Sequence, residues 1–485
     1  MPERAHPLMR TFKAFSLATI LVISSLSSAR AEAPASFSFT GSGYGHGVGM
    51  SQIGAKVRAL AGESATAILN YYYKDVVIAP IVDTHTVRVN LAHAVRAASF
   101  VTATPESFIE IFSGDIGDSQ DVLPIATLQN RQKATFRVQA GLATYGALSG
   151  TAFTIRWKGP SAVITVGHPG ETARYRYGQI QIKIVKGAME VTNSLSMHDE
   201  YLLGISEVPS SWPMAALEAQ AIASRSYALS KLGPLRTSCD CHVYDHISDQ
   251  NFVGYSKEIE PRFGKFWRAA VINTHVDSST SLAILADGKA VQAYYFSSSG
   301  GATQTTRDAW GQATSYTQSV PDPGSLDIKH NPRFVNWKAS ATQVLVATAF
   351  LLPDVVTLEI ISRNSAGAVT SIKGIASDGS YKIFEINTNI GLQCDVTRYV
   401  NDTDFKEFIS SNGFTEIHLI YTRNNNQILG AGSGFGNNVQ TVNIKYGSLV
   451  NYIGLLYQHI EQNPKTTSVT KNRRGRSCFR RVYRS

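Results

Sequence analysis

Apolar and polar residues alternate through residues 84–187. The segments TVRVNLA, SFIEIF, ATFRVQA, FTIRW, AVITV and QIQIKIV lie there with Gly, Pro or Asp between them. Successive side chains of a strand point to opposite faces, so a period of two predicts short strands in a small sandwich or barrel. Two other regions change period. Residues 51–73 place Ala55, Ala59, Leu60, Ala67, Ile68 and Tyr71 at steps of three and four, with Gly62 between. This predicts two short helices split at the glycine. Residues 211–232, SWPMAALEAQAIASRSYALSKL, predict a longer helix, with Ser211 as cap, Pro213 in its first turn and Gly233 ending it. Its alanines make it slim enough for close approach by neighbours. A second helix is expected near residues 262–275. A hairpin follows, turning at Asp287-Gly288 and delivering Ser297, Ser298, Ser299, Gly300 and Gly301 at the end of one arm.

The expected architecture is α+β. Its divisions are a leader (1–31), a glycine-rich module (32–80), a β-rich domain (81–194), a central core (195–337), a C-terminal α+β region (338–464) and a basic tail (465–485). The leader reads as a secretory signal: Arg10 and Lys13 precede the apolar run 15–26, and Ala29-Arg30-Ala31 forms a cleavage pattern. That run is too short to span a membrane. Secretion to the cell envelope is the expectation.

The chain has 485 residues and a net charge of +9, but the charge is unevenly placed. Residues 465–485 carry Lys465, Lys471, Arg473, Arg474, Arg476, Arg480, Arg481 and Arg484 and no acid, and the leader is also basic. The rest is slightly acidic and lacks the charge signature of a nucleic-acid binder. The tail reads as a solvated polycation able to contact anionic wall polymers or lipid headgroups.

Four cysteines occur, Cys239, Cys241, Cys394 and Cys478. In an exported chain they are open to disulfide formation. Cys239-Asp240-Cys241 is too short to close on itself without strain, so each sulfur is expected to seek a distant partner. The other reading is a metal site using Cys239, Cys241, His242 and His246. No other cofactor is expected.

Two stretches carry candidate chemistry. GSGYGHGVGMSQIGA, residues 41–55, holds six glycines around His46. Glycine costs about 0.5–1 kcal/mol against alanine in regular structure, so the density needs a cause. The glycines bring the main chain close either to a ligand or the serine-rich loop, with His46 and Gln52 as hydrogen-bonding groups, or to the central helix, with His46 structural. A degenerate copy, GSGFGNN, occurs at residues 432–438. The second stretch is YLLGISEVPSSWPMAALEAQAIASRSYAL. Glu207 stands there among Val208, Pro209 and Trp212. Apolar neighbours raise a carboxyl pKa, which suits a general acid; a helix N-terminus lowers it.

Residues 201–229, 245–254 (DHISDQNFVG), 294–311 (YYFSSSGGATQTTRDAWG) and 43–55 together resemble the SpoIID/LytB family of stage II sporulation protein D and amidase enhancers. In the sporulation branch this implies a lytic transglycosylase that cuts peptidoglycan glycan strands to 1,6-anhydro-muramoyl ends. Glu207 matches the segment of the catalytic glutamate. The resemblance implies that Gln220, Arg225, Gln250 and the Ser297, Ser298, Ser299, Gly300, Gly301 loop line a sugar cleft, with Trp310 and Gly311 following. In the enhancer branch it implies a non-enzymatic wall-binding partner of an N-acetylmuramoyl-L-alanine amidase. Three features depart from the family pattern. The intact glycine-histidine module is N-terminal, as in actinobacterial members. Gln304 stands where many relatives have an acid. DQNF replaces a cysteine-containing segment near the sporulation branch's zinc.

Overall fold

The computed structural model describes residues 32–385. The leader, the basic tail, Cys394, Cys478 and the copy at 432–438 lie outside these residues. The fold is mixed α and β, as expected.

The alternating segments form two sheets that share one core. The larger runs, in spatial order, Val243–Tyr244, Thr86–Val95, Ala188–Ser196, Gln179–Val185, Ala152–Lys158, Phe108–Ser113 and Ala126–Gln129. The smaller runs Leu148–Gly150, Leu142–Tyr145, Ala134–Gln139, Ala97–Thr102, Ile164–His168 and Glu171–Tyr175. Phe136 of the smaller sheet meets Phe153 of the larger at 5.0 Å between ring centroids. Ile109, Ile111, Phe100, Ile155, Ile164 and Ile180 fill the space around them. Strand Ala188–Ser196 is buried along both faces. Its Met189, Val191 and Leu195 belong to the same core, which helical residues Leu217, Ala221 and Trp267 also join.

The expected helices form as Gln52–Leu60 (α1), Ala65–Tyr72 (α2) and Met214–Lys231 (α3). Ser51 Oγ accepts from the Gly54 amide and Ser64 Oγ from the Ala67 amide, so each short helix has its own cap. The cap expected at Ser211 is not used. The chain enters α3 at Pro213, whose φ of −55° is set by its ring, and no side chain caps the helix. A further helix spans Gly264–Asn273.

Helix α3 is buried nearly all round because it lies between two cores. Leu217, Ala221 and Ala228 face the sheets. Ala219, Ile222 and Ala223 face a second cluster with Met50, Ala55, Ile68, Leu69 and Tyr72 from the glycine-rich module. Alanine lets both sides approach, which is the structural use of the small residues noted in the sequence. Replacing Ala221 by Leu inserts atoms where there is no space. The expected cost is about 1–3 kcal/mol, read from the denaturation midpoint.

The boundaries expected from composition fall inside paired elements. That at 80/81 lies within Val77–Val82, which pairs with Thr280–Ala286. That at 337/338 lies at Trp337–Thr342, which pairs with Ser36–Gly41. A third core, containing Phe39, Leu345, Val346, Phe350 and Ile372, closes the N-terminal strand onto the C-terminal region. Among the described residues no helix is long and apolar enough to cross a membrane.

Candidate active site

The glycine-rich segment runs against the strand that leads into the serine-rich loop. Met50–Ser51 lies parallel to Tyr295–Phe296, and Tyr44 exchanges main-chain bonds with Ser298 at 2.7 and 3.0 Å. Close approach explains the glycines. At Gly49, with φ of +76°, a Cβ would stand 2.0 Å from the Tyr294 carbonyl oxygen. At Gly47, with φ of +82°, it would stand 2.6 Å from Gln304 Nε2. Gln304 Nε2 donates to the His46 carbonyl and Gln304 Oε1 accepts from Asn364 Nδ2. An ionised acid at position 304 could not make the donation, so the amide is the residue this packing needs.

His46 is buried among Tyr294, Phe296 and Trp310, with ring centroids 6.1, 5.5 and 5.2 Å away. Its Nδ1 accepts from the Val48 amide at 3.1 Å. Burial pushes its pKa down to about 4 against a hydrogen bond to the Tyr295 backbone. The ring is therefore neutral at physiological pH.

Glu207 lies between the short turn Leu202–Gly204 and α3. The DQNF segment holds it in place. Ser206 N–H donates to the Asn251 carbonyl and Asn251 Nδ2 returns a bond to the Ser206 carbonyl, both at 2.7 Å. Asn251 N–H donates to Glu207 Oε1 at 2.7 Å and the Tyr295 hydroxyl donates to the same oxygen at 3.1 Å. Oε2 accepts no hydrogen bond from the described residues and is not a buried atom, so it opens to the cleft. Burial raises the carboxyl pKa; the Asn251 amide, the Tyr295 hydroxyl and the Lys257 ammonium oppose it without cancelling it. Desolvation thus outweighs these three partners.

The cleft holds about 690 Å³, a volume common for small-molecule sites. Glu207, His46, Gln52, Ser297 and Trp310 line it together, as do Tyr44, Tyr227, Lys231, Arg236, Asp249, Tyr294, Tyr295 and Phe296. The other residues expected to line it do not. Gln220 is buried, accepting from Gln52 Nε2 at 3.2 Å and donating to Ser224 Oγ at 3.1 Å. Gln250 is buried, donating to the Ser224 carbonyl and the Tyr295 hydroxyl and accepting from Tyr201. These amides position Tyr295 and Gln52 from behind. Arg225 is fully buried on α3, its Nε 3.0 Å from Asp83 Oδ2. Ser298 Oγ accepts from Asn331 Nδ2, and Ser299 Oγ donates to Asp322 Oδ2 at 2.7 Å. The Gly300 carbonyl accepts from Ser42 Oγ, and Gly301 N–H donates to Ser299 Oγ. Past Ser297 the loop turns into the protein, so its polar groups bond internally.

Sequence reasoning missed Tyr295 and Asn251, the two donors to Glu207. Alternation offered one signal: in the arm that carries Ser297, Tyr295 falls on the same face.

The cysteine expectation is corrected. Cys239 and Cys241 form a disulfide with each other, their Cα atoms 5.2 Å apart. Asp240, at φ of +51°, turns the chain between them and is held by Arg88 and Lys183 at 2.8 and 2.6 Å. His242 Nδ1 accepts from the Arg88 amide and Nε2 bonds the Gly233 carbonyl. With both sulfurs bonded and both ring nitrogens occupied, these residues do not fit a zinc site.

Part of the chain that carries this site is similar to known proteins. Residues 185–319 match the family described as SpoIID, stage II sporulation protein. The span includes Glu207, α3, the DQNF segment and Tyr295; the glycine-rich module precedes it. A curated relative, the amidase enhancer of Bacillus subtilis (strain 168), is 29% identical over 116 residues, which is 24% of this chain and 14% of the relative. The matched segment thus covers a small part of that protein. This central segment, residues 185–319, is thus the part of the chain that carries the likeness to the SpoIID family, and the amidase enhancer is a relative that the chain resembles in part.

Proposed function

We propose that this protein acts on the bacterial cell wall after secretion, cutting peptidoglycan glycan strands as a lytic transglycosylase. The observation that carries the reading is Glu207 itself, a carboxyl with one oxygen fixed by two donors, the other open to the cleft, and a raised pKa. A protonated Glu207 gives its proton to the glycosidic oxygen as the bond to muramoyl C1 breaks. The carboxylate then takes the proton of the C6 hydroxyl as O6 bonds to C1. The products are a 1,6-anhydro end and a free hydroxyl on the leaving sugar, and no water is consumed. One carboxyl serves both steps, so the second carboxylate of ordinary glycosidases has no task. Asp249, the other acid of the cleft, is held by Arg236, Tyr227 and the Tyr244 amide.

The test is to incubate the full chain with intact and peptide-stripped glycan strands and look for anhydro-muropeptides by mass spectrometry. The second reading, a non-enzymatic enhancer of a cell-wall amidase, is favoured by the similarity to the Bacillus subtilis amidase enhancer. Strand binding without product, together with faster hydrolysis by an added amidase, would establish it. The basic tail would then serve in either case as a contact to anionic wall polymers or lipid headgroups.

Tyr295→Phe probes the acid directly. Loss of the hydroxyl removes a donor that stabilises the Glu207 carboxylate, so the carboxyl pKa rises further. Cleavage needs the protonated form and is lost as pH rises through that pKa. The alkaline limb of the pH–rate profile is therefore expected to move to higher pH. An unmoved limb would mean that Glu207 is not the group titrating.

A further inference from the structure

Four residues that carry full charges line the cleft: Glu207, Asp249, Arg236 and Lys231. Three of them are engaged. Glu207 is held by Asn251 and Tyr295. Arg236 and Asp249 form a two-pronged pair, with Nη1 to Oδ2 at 2.7 Å and Nη2 to Oδ1 at 2.8 Å. Tyr227 and the Tyr244 amide complete the Asp249 carboxylate. Lys231 is different. It sits in the last turn of α3, makes no hydrogen bond or ion pair among the described residues, and holds its ammonium 5.1 Å from the centre of the Tyr227 ring.

This arrangement has a cost. A half-buried ammonium gives up part of its hydration, and burial lowers the Lys231 pKa, with Asp249 acting against the shift. The C-terminal carbonyls of α3 favour a cation at this position, which helps keep it charged. Arg236 and Asp249 neutralise each other, so Lys231 is the cation of the cleft that no hydrogen bond or ion pair among the described residues engages. Its aromatic groups, Tyr294, Phe296 and Trp310, line the same space. Aromatic rings beside a lone cation suit a ligand made of sugar rings that bear an acid.

We infer that Lys231 is a carboxylate-binding residue, so that the cleft selects an acidic oligosaccharide over a neutral one. The inference rests on the glycan reading above and adds the chemical class of its ligand. In a muramoyl glycan the carboxylate has two sources: the lactyl group of a peptide-free residue, or the stem peptide attached to it.

Calorimetric titration tests this on the full chain carrying Glu207→Gln, so that no ligand is cut. Three ligands are compared: a neutral N-acetylglucosamine tetrasaccharide, a peptide-free tetrasaccharide alternating with N-acetylmuramic acid, and the same sugar bearing stem peptides. At least one acidic ligand is expected to bind about tenfold more tightly than the neutral one, as a charge-assisted bond allows. That gap should narrow as salt is added. Adding Lys231→Gln should close it and Lys231→Arg should keep it, with melting temperatures confirming that both variants fold. A gap already present with the peptide-free sugar identifies the lactyl carboxylate; a gap only with the third ligand identifies the stem peptide. Equal binding of all three, or a gap that survives Lys231→Gln, overturns the inference while leaving the glycan site intact. Binding of none overturns both.

Discussion

Glu207→Gln is expected to reduce release of anhydro-muropeptides by at least about a thousandfold. A positioned general acid or base contributes about 10²–10⁴-fold, and here one group performs both transfers. The variant is suited to the question because it leaves the surroundings in place. The amide oxygen can still accept from the Asn251 amide and the Tyr295 hydroxyl, the two bonds that hold Oε1. What disappears is the exchangeable proton at the cleft-facing position. Stability should be unchanged or slightly higher, since a desolvated carboxyl is replaced by a neutral group. Full cleavage by a folded Glu207→Gln protein would end the transglycosylase reading. Product from neither form, with glycan binding kept by both, would transfer the weight to amidase enhancement.

Asp83→Ala is expected to destabilise the protein by about 3–5 kcal/mol, measured by chemical denaturation. Asp83 and Arg225 are both fully buried, and Asp83 also meets His198 Nδ1 at 2.6 Å. The 3.0 Å approach of Arg225 Nε to Asp83 Oδ2 is an ion pair of imperfect alignment, and Arg225 Nη2 has no hydrogen-bond partner among the described residues. Burial lowers the Arg225 pKa to about 10 and Asp83 opposes that shift, so the guanidinium remains charged near neutral pH. Removing Asp83 leaves this charge, among the described residues, with only the Leu282 carbonyl as acceptor. Replacing both residues, as in Asp83→Ala with Arg225→Met, should recover much of the loss, because the stranded charge is then gone. A loss below about 1 kcal/mol for Asp83→Ala would show that the pair does not hold α3 to the end of Val77–Val82. The experiment also decides the role of Arg225, a candidate sugar contact by resemblance that the structure buries away from the cleft.

Gln304 shows how far resemblance and packing differ as guides. By resemblance it stands where many relatives have an acid. In the fold it is a buried amide that donates to the His46 carbonyl and accepts from Asn364. The residue at 364 is contributed by a C-terminal hairpin that no motif connects to the glycine-rich module.

The sequence by itself determined the features governed by neighbours a few residues apart. The split helices with caps at Ser51 and Ser64, the strands of the alternating segments, and the Asp287-Gly288 turn, with φ of +49° and +72°, all follow from local spacing and backbone preference. It also marked Glu207, through the motif around it. The tertiary structure alone decided which polar groups face the cleft, because that depends on what packs behind them. Gln220 and Gln250 were drawn inward by Gln52, Ser224 and Tyr295. It alone closed Cys239 onto Cys241, brought residues 36–41 beside 337–342, and desolvated the Glu207 carboxyl. Each of these depends on backbone shape, on distant pairing or on the loss of water around one carboxyl, and such terms exist only once segments far apart in the chain have packed together.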